Sequence, residues 1–335
     1  MTPAEKDNIL IWDGKTHGHY EVYYFKFNLP EQQAAFWLRY TILAPLHGFG
    51  QPVGELWGIF FDSRDPSKNE AWKQTFPLSQ VRWESQRFEL RIDQSLLRHD
   101  ESHGRIQGKK SSISWDLKIK PQKEIFHNYP NLLYHLPFPK TKVMAPNLSC
   151  SYSGRIKAGD RVFEFKNAPG HQAHIWGKKH AHQWAWGNCN LFDDQQDAVF
   201  EALSGQIKLG GVLTPPMSMA YLKVGKEEYS FKSWKNLFGI HSRWNIQNWQ
   251  MEAENEKYLL LATMSSQPEW MVGVRYTDPD GDTRVCNNTK IANLELKLIA
   301  REQDKQILRH HLKSTQGCAF EVVGPHAQPA VPVKI

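Results

Sequence analysis

The chain has 335 residues, 40% of them hydrophobic and 12% aromatic, with a formal charge of +6 at pH 7. That is enough chain for two ordinary domains and too much apolar content for disorder. Lys and Arg are spread along the sequence without the dense run that tracks phosphates, which excludes nucleic acid as a partner, while contact with an anionic membrane surface stays compatible with the mild basic balance.

The segment 1–7 is polar and has no leader-like apolar core, and no stretch approaches the roughly 18 apolar residues of a membrane span. Cys150, Cys189, Cys286 and Cys318 stand far apart, with no metal-knuckle or dithiol spacing, and read as reduced thiols. A cytoplasmic protein follows as the expectation, with contact at a membrane periphery left open.

Alternating or aromatic-rich segments between turn signals predict antiparallel strands over 20–29, 34–43, 54–62, 87–92 and 111–119. The Pro-rich, aromatic-containing stretch 121–146 predicts a long loop over a barrel mouth, able to act as a lid. Strands resume over 149–156, 161–165, 182–192, 198–209, 219–224, 228–231, 258–264, 270–276 and 294–300. Lys157-Ala158-Gly159-Asp160 and Asp278-Pro279-Asp280-Gly281 carry tight-turn chemistry, with Asp278 and Asp280 capping their reversal. The acidic stretch 193–197 marks the expected boundary between a first domain, 1–195, and a second, 196–335, and the Pro-containing tail 324–335 reads as an extended arm. The fold class is mostly β: two antiparallel barrels or sandwiches packed together.

The most distinctive segment is His182-Gln183-Trp184-Ala185-Trp186-Gly187-Asn188-Cys189-Asn190. Side chains in a strand alternate faces, so His182, Trp184, Trp186, Asn188 and Asn190 share one side, and the small residues Ala185, Gly187 and Cys189 share the other. Large rings beside amides suit the wall of a pocket for a hydrophobic small molecule; the same residues also suit a core whose indole N–H groups bond to backbone. Upstream, His174, Trp176, Lys178 and His180 continue the parity, yet no carboxylate or Cys joins the histidines at a zinc-like spacing, so neither metal nor cofactor is expected.

In the first half, Trp37, Arg39 and Thr41 share one strand face. Arg39 either snorkels to solvent or anchors a polar group at a pocket rim. Glu21 and Glu55 are acids embedded in apolar strands. Desolvation would favour their protonated forms and fit them as general acids, whereas an ion pair with Arg39 or Lys26 would make them structural. No phosphate loop, nucleophile elbow or Ser-His-Asp ordering is present.

Two motifs carry a family resemblance. Tyr20-Glu21-Val22-Tyr23-Tyr24-Phe25-Lys26, and the series Asn167-Ala168-Pro169, Trp176-Gly177 and Trp184-Ala185-Trp186-Gly187-Asn188-Cys189-Asn190, resemble the tocopherol cyclase-like group, and more distantly carotenoid 1,2-hydratase proteins of the lipocalin-like superfamily. The correspondence is strongest over the first 195 residues, and Val22, Tyr23 and Asn188 depart from the family pattern.

The resemblance implies two lipocalin-like halves and acid-initiated chemistry on a prenyl or polyene chain. A cofactor-independent cyclase or hydratase is the leading expectation, with Glu21 or Glu55 as the acid. Trp176, Trp184 and Trp186 would then shelter a cation, with Arg39, His174, His182, Asn188 and Asn190 around the substrate. A non-catalytic lipid or pigment carrier, or a pericyclic catalyst that only shapes its substrate, would use the same pocket.

Overall fold

A computed structural model of the protein describes residues 2–122, 125–302 and 305–335. Among them nearly all regular structure is antiparallel strand, arranged in two large sheets. From neighbour to neighbour, the first sheet runs Glu70–Pro77, Val53–Asp62, Ala34–Ala44, His19–Leu29, Arg161–Gly177, Thr141–Ala158, Ser112–Lys120, Glu101–Gln107, Ser95–Arg98, Glu89–Ile92 and Val81–Trp83. The second runs Glu227–Phe231, Met217–Val224, Ala198–Gln206, Gln183–Cys189, Lys305–Gly324, Thr283–Glu302, Tyr258–Ser265, Asn248–Glu254 and His241–Trp244, with Val272–Thr277 also paired to Thr283–Glu302.

Both halves wind alike: the opening strand of each lies between its successor and the strand that closes the same half. The first sheet curls until Glu70–Pro77 meets Glu101–Gln107, a nearly closed barrel, and the second forms a half-barrel. Two lipocalin-like β units packed together are therefore what the chain forms. The change of sheet falls at 178–182, ahead of the expected boundary at 193–197, and the strand Gln183–Cys189 opens the second sheet.

The strands His19–Leu29, Ala34–Ala44 and Val53–Asp62 are buried on both faces, which explains their nearly unbroken aromatic and aliphatic sequence. One face, with Tyr23, Phe25, Phe27, Phe36, Leu38 and Tyr40, fills the first barrel. The other, with Tyr20, Val22, Tyr24, Trp37, Trp57 and Ile59, meets Trp186, Val274, Tyr276, Cys286 and Val323 of the second sheet. Ser112–Lys120, by contrast, has one wet face and alternates in the usual way. Rings occupy the barrel interior, so the aromatic wall anticipated from the sequence lies in the seam between the sheets. The small side of Gln183–Cys189 turns into the second core, where a Cβ on Gly187 would stand 2.2 Å from the Met264 methyl.

Each half closes with a long hairpin, Thr141–Ala158 with Arg161–Gly177 and Thr283–Glu302 with Lys305–Gly324. The expected strands 149–156 and 161–165 are pieces of the first of these. Pro146, Pro169 and Gly170 look like breakers in the sequence, but register shifts between Met144 and Cys150 and between Tyr152 and Gly154 absorb the irregularity. The stretch 121–146 is correspondingly shorter as a loop; two of its residues, 123 and 124, lie outside the described set. Its segment Phe126–His127 pairs with the first sheet, while the Phe126 ring packs on Tyr221 of the second. The tail is docked rather than free: Val331 is buried, Val333 bridges Gly273, and the Arg275 N–H donates to the Ile335 carbonyl at 2.8 Å.

Candidate functional site

Across the seam, strand pairing brings polar side chains together inside an apolar rim. Asn188 stands opposite Glu201 on one neighbouring strand, and Trp186 stands opposite Glu321 on the other. Tyr24, Lys26, Trp37 and His171 approach from the first sheet, since Lys26 is registered with both Trp37 and His171. The rings of Tyr24 and His171 each lie 5.5 Å from that of Trp186.

Glu201 occupies the centre. Its Oε1 accepts the Trp186 indole N–H at 2.7 Å, its Oε2 accepts an Asn188 amide N–H at 3.0 Å, and Asn128 of the loop after His127 reaches it at 3.4 Å. No cation pairs with it among the described residues. Burial is the largest influence on this carboxyl and outweighs the three donors, pushing its pKa up to about 7.

Two lysines sit nearby. Lys26 Nζ donates to Asn190 Oδ1 at 2.7 Å, joining the two sheets, and Asn190 Nδ2 in turn donates to the Gly170 carbonyl. Burial brings the Lys26 pKa down to about 8. Lys290 Nζ donates to Glu321 Oε1 at 2.8 Å and to Asn288 Oδ1, and stands 5.3 Å from the Trp186 ring centroid. Among the described residues the seam thus holds a carboxyl without a counter-ion, Glu201, and a carboxylate tied to a lysine, Glu321. His171 is neutral, its pKa lowered by burial and by Lys26 to about 3; its Nδ1 faces the Leu148 carbonyl, so that nitrogen carries the proton and Nε2 is an acceptor. His171 Nε2, Trp37 Nε1, Asn188 Oδ1 and Asn288 Nδ2 are all buried with no partner among the described residues.

Toward one end of the seam Arg39 donates through Nε to Thr41 Oγ1 at 2.8 Å, and its guanidinium lies 4.3 Å from the Tyr276 ring centroid and 5.0 Å from that of Trp57. It is buried, so it does not snorkel to solvent, and no carboxylate pairs with it among the described residues. Trp184 completes the rim, stacked on His180, which binds Asp278 through Nδ1 at 2.6 Å. Asp278 therefore ties the sheet crossover to the turn at 278–281 instead of capping that turn with its side chain, a role left to Asp280, which accepts the Asp282 N–H. Glu55 lies at the edge of the same face, accepting from Lys73 at 2.8 Å and from the Trp57 indole at 3.2 Å.

Glu21 is elsewhere and does not meet the condition set for an acid. It points away from the seam and accepts from the backbone N–H groups of Ile11 and Trp12, from Tyr23, and from His19 and His174. Burial opposes its charge, but the bonds from His174 and His19 prevail and hold its pKa at about 2. Fully bonded and ionised, this carboxylate pins the segment 11–12 to the barrel. His174 and Trp176 belong to that cluster: His174 stacks on Tyr23 and donates through Nδ1 to the Asp7 carbonyl at 2.7 Å, and Trp176 lies beside it and Tyr134. His182 sits before the strand, its N–H on the Gln206 carbonyl. Among the described residues no group of three or more His, Cys, Asp or Glu is placed to hold a metal ion.

The structure thus unites Trp186, Asn188 and Asn190 with residues the sequence reading passed over: Glu201, Glu321, Lys290, His171 and Tyr24. The cue was present. Glu201 in Ala198-Val199-Phe200-Glu201-Ala202-Leu203 and Glu321 in Ala319-Phe320-Glu321-Val322-Val323 are acids inside apolar strands, as Glu21 and Glu55 are.

Comparison with known proteins bears on this arrangement. The profile of the family described as tocopherol cyclase-like matches residues 17–324. An uncharacterized protein of Mycobacterium tuberculosis is 24% identical over 295 residues, covering 87% of this chain and 84% of its own. The probable chloroplastic tocopherol cyclase of Oryza sativa subsp. japonica is 26% identical over 187 residues, which are 54% of this chain and 38% of the rice protein. The crystal structure of CghA superposes with a TM-score of 0.58 at 9% identity, covering 98% of this chain and 93% of that one, a likeness of fold.

Proposed function

We propose, for a chain that belongs to the tocopherol cyclase-like family, that the seam is the acid site of a cofactor-independent cyclase or hydratase acting on a hydrophobic substrate. The observation that carries this reading is Glu201, a buried carboxyl with no counter-ion among the described residues, its pKa near 7, against the ring of Trp186. The acid is thereby assigned to Glu201 and not to Glu21. A carboxyl tuned near the working pH is available as an acid and regenerable as a base.

The step balances as follows. Glu201 gives its proton to one carbon of a C=C bond, forming a C–H bond as the π bond breaks, and a carbocation develops on the other carbon. The faces of Trp186, Trp37 and Tyr24 shelter the cation. An oxygen nucleophile closes the C–O bond and returns its proton to the Glu201 carboxylate. An internal hydroxyl makes the reaction a cyclisation and water makes it a hydration. His171 Nε2 and Asn188 Oδ1 are acceptors placed to orient that O–H, and Arg39 would hold a polar end of the substrate.

The first test is native mass spectrometry of protein from its own host, with identification of any lipid released by solvent. Turnover of a recovered isoprenoid in D2O should place deuterium at the protonated carbon, and Glu201→Gln should abolish this while retaining binding. Undiminished turnover in that variant would sink the acid assignment. A ligand bound tightly but returned unchanged would establish the carrier alternative instead.

A further inference from the structure

One end of the molecule carries a surface that the site does not explain. Leu132, Phe138, Leu209, Val212, Trp234 and Phe238 are large apolar side chains with 43–72% of their surface exposed. They lie on three segments that are distant in sequence, and hydrogen bonds gather those segments at one end of the molecule. Lys140, just after Phe138, is bonded to Lys178 at the sheet crossover, and His182 at the end of that crossover is bonded to Gln206, whose side chain holds Thr214 across the 209–213 turn. Lys232 Nζ, two residues before Trp234, donates to the His127 carbonyl at 2.9 Å, and Ser242 meets Ser204 at 2.7 Å.

The three segments that bear these tips carry one sign of charge, and the carboxylates that approach them at the crossover, Asp280 and Asp282, are paired with Lys179. Residues 125–159, 202–226 and 229–251 contain no Asp or Glu, while Lys140, Lys208, Lys235 and Arg243 are exposed among the apolar tips. Apolar side chains projecting from turns and short helices, ringed by cations that reach outward on long stems, are complementary to a bilayer surface carrying anionic headgroups.

We propose that this end docks on an anionic lipid membrane. The segment that bears Leu132 and Phe138 begins at Asn128, whose amide contacts Glu201, so the docking surface and the site share one piece of chain. A hydrophobic molecule leaving the bilayer there would meet the protein beside the segment that contacts Glu201. The proposal goes beyond the acid site and stands without it, because docking is read without turnover.

The experiment is co-flotation of the full chain with vesicles of phosphatidylcholine, with and without phosphatidylglycerol. Binding is expected only to the anionic vesicles and to weaken with salt. The double change Leu209→Asp with Val212→Asp should lower the partition coefficient by at least about tenfold, as should Phe238→Glu. Leu308→Asp, equally exposed on a different strand, should leave it unchanged, with far-UV circular dichroism and melting preserved in all variants. The proposal is overturned by failure to float with anionic vesicles, by binding indifferent to the tip substitutions, or by a dimer in solution that those substitutions dissolve.

Discussion

Trp186 donates its indole N–H to Oε1 of Glu201 at 2.7 Å, and the same ring has Lys290 Nζ 5.3 Å from its centroid. One aromatic side chain therefore stands beside both a carboxyl that can lose a proton and a lysine bonded instead to Glu321. With the Glu201 pKa at about 7, kcat/KM should fall above that pH along a single ionisation. Glu201→Gln should lower kcat by roughly 10²–10⁴-fold. A pH–rate profile that stays flat between pH 6 and about 8 would reject the assignment.

The same carboxyl should be visible in stability. Its pKa is 4.5 in an ordinary setting and about 7 in the folded chain, so the native state holds the extra proton between those values, and stability falls as pH rises through that window. Glu201→Gln removes the cost of the buried charge. The variant should match its parent near pH 4 and exceed it by about 1–3 kcal/mol above pH 8, as read by urea unfolding at both pH values.

Glu21 should behave in the opposite sense. Its folded pKa is depressed to about 2, so its contribution is present above the ordinary value of 4.5 and is lost as pH falls toward 2. Glu21→Gln should cost on the order of 2–4 kcal/mol at neutral pH by stranding buried donors. A variant as stable as its parent would show that those bonds carry no weight.

Arg39→Gln keeps a polar group beside Thr41 but removes the charge held over Tyr276 and Trp57. KM should rise by about tenfold with kcat little changed, as expected of a group that binds one end of the substrate equally before and during reaction. Steady-state kinetics separates this from a collapse of the seam, which would lower kcat.

Removal of residues 331–335 exposes the edge of Val272–Thr277 that the tail covers and deletes the buried Val331. A loss of about 2–4 kcal/mol is expected from one buried aliphatic side chain and the backbone bonds to Gly273 and Arg275. Thermal unfolding of the shortened chain measures it.

The fold was legible where a strand has its own signature. The small face of Ala185, Gly187 and Cys189 against the large one of Trp184 and Trp186 foretold a strand between two different layers. The long hairpins were foreshortened because prolines and glycines that bulges accommodate look like ends. The site was half legible. Trp186, Asn188 and Asn190 lie on one contiguous strand and were found by parity, whereas Glu201, Glu321 and Lys290 come from strands that only pairing brings alongside. Glu21 and Glu201 are alike in sequence, each an acid among apolar residues. What separates them is the number of hydrogen-bond donors each meets, a property of tertiary packing.

The winding shared by both halves bears on how the chain folds. His19–Leu29 finds one of its partners only when Arg161–Gly177 has been made, and Gln183–Cys189 must await Lys305–Gly324 at the far end of the sequence. Contacts of such separation are slow to form, since loop-closure entropy is lost before they reward it. During synthesis the first barrel closes early while its outward face, rich in Trp and Tyr, stays uncovered until the second sheet is complete. The two halves expressed as separate chains would each present that face to water, so aggregation of the isolated pieces and recovery on co-expression is the behaviour this topology dictates.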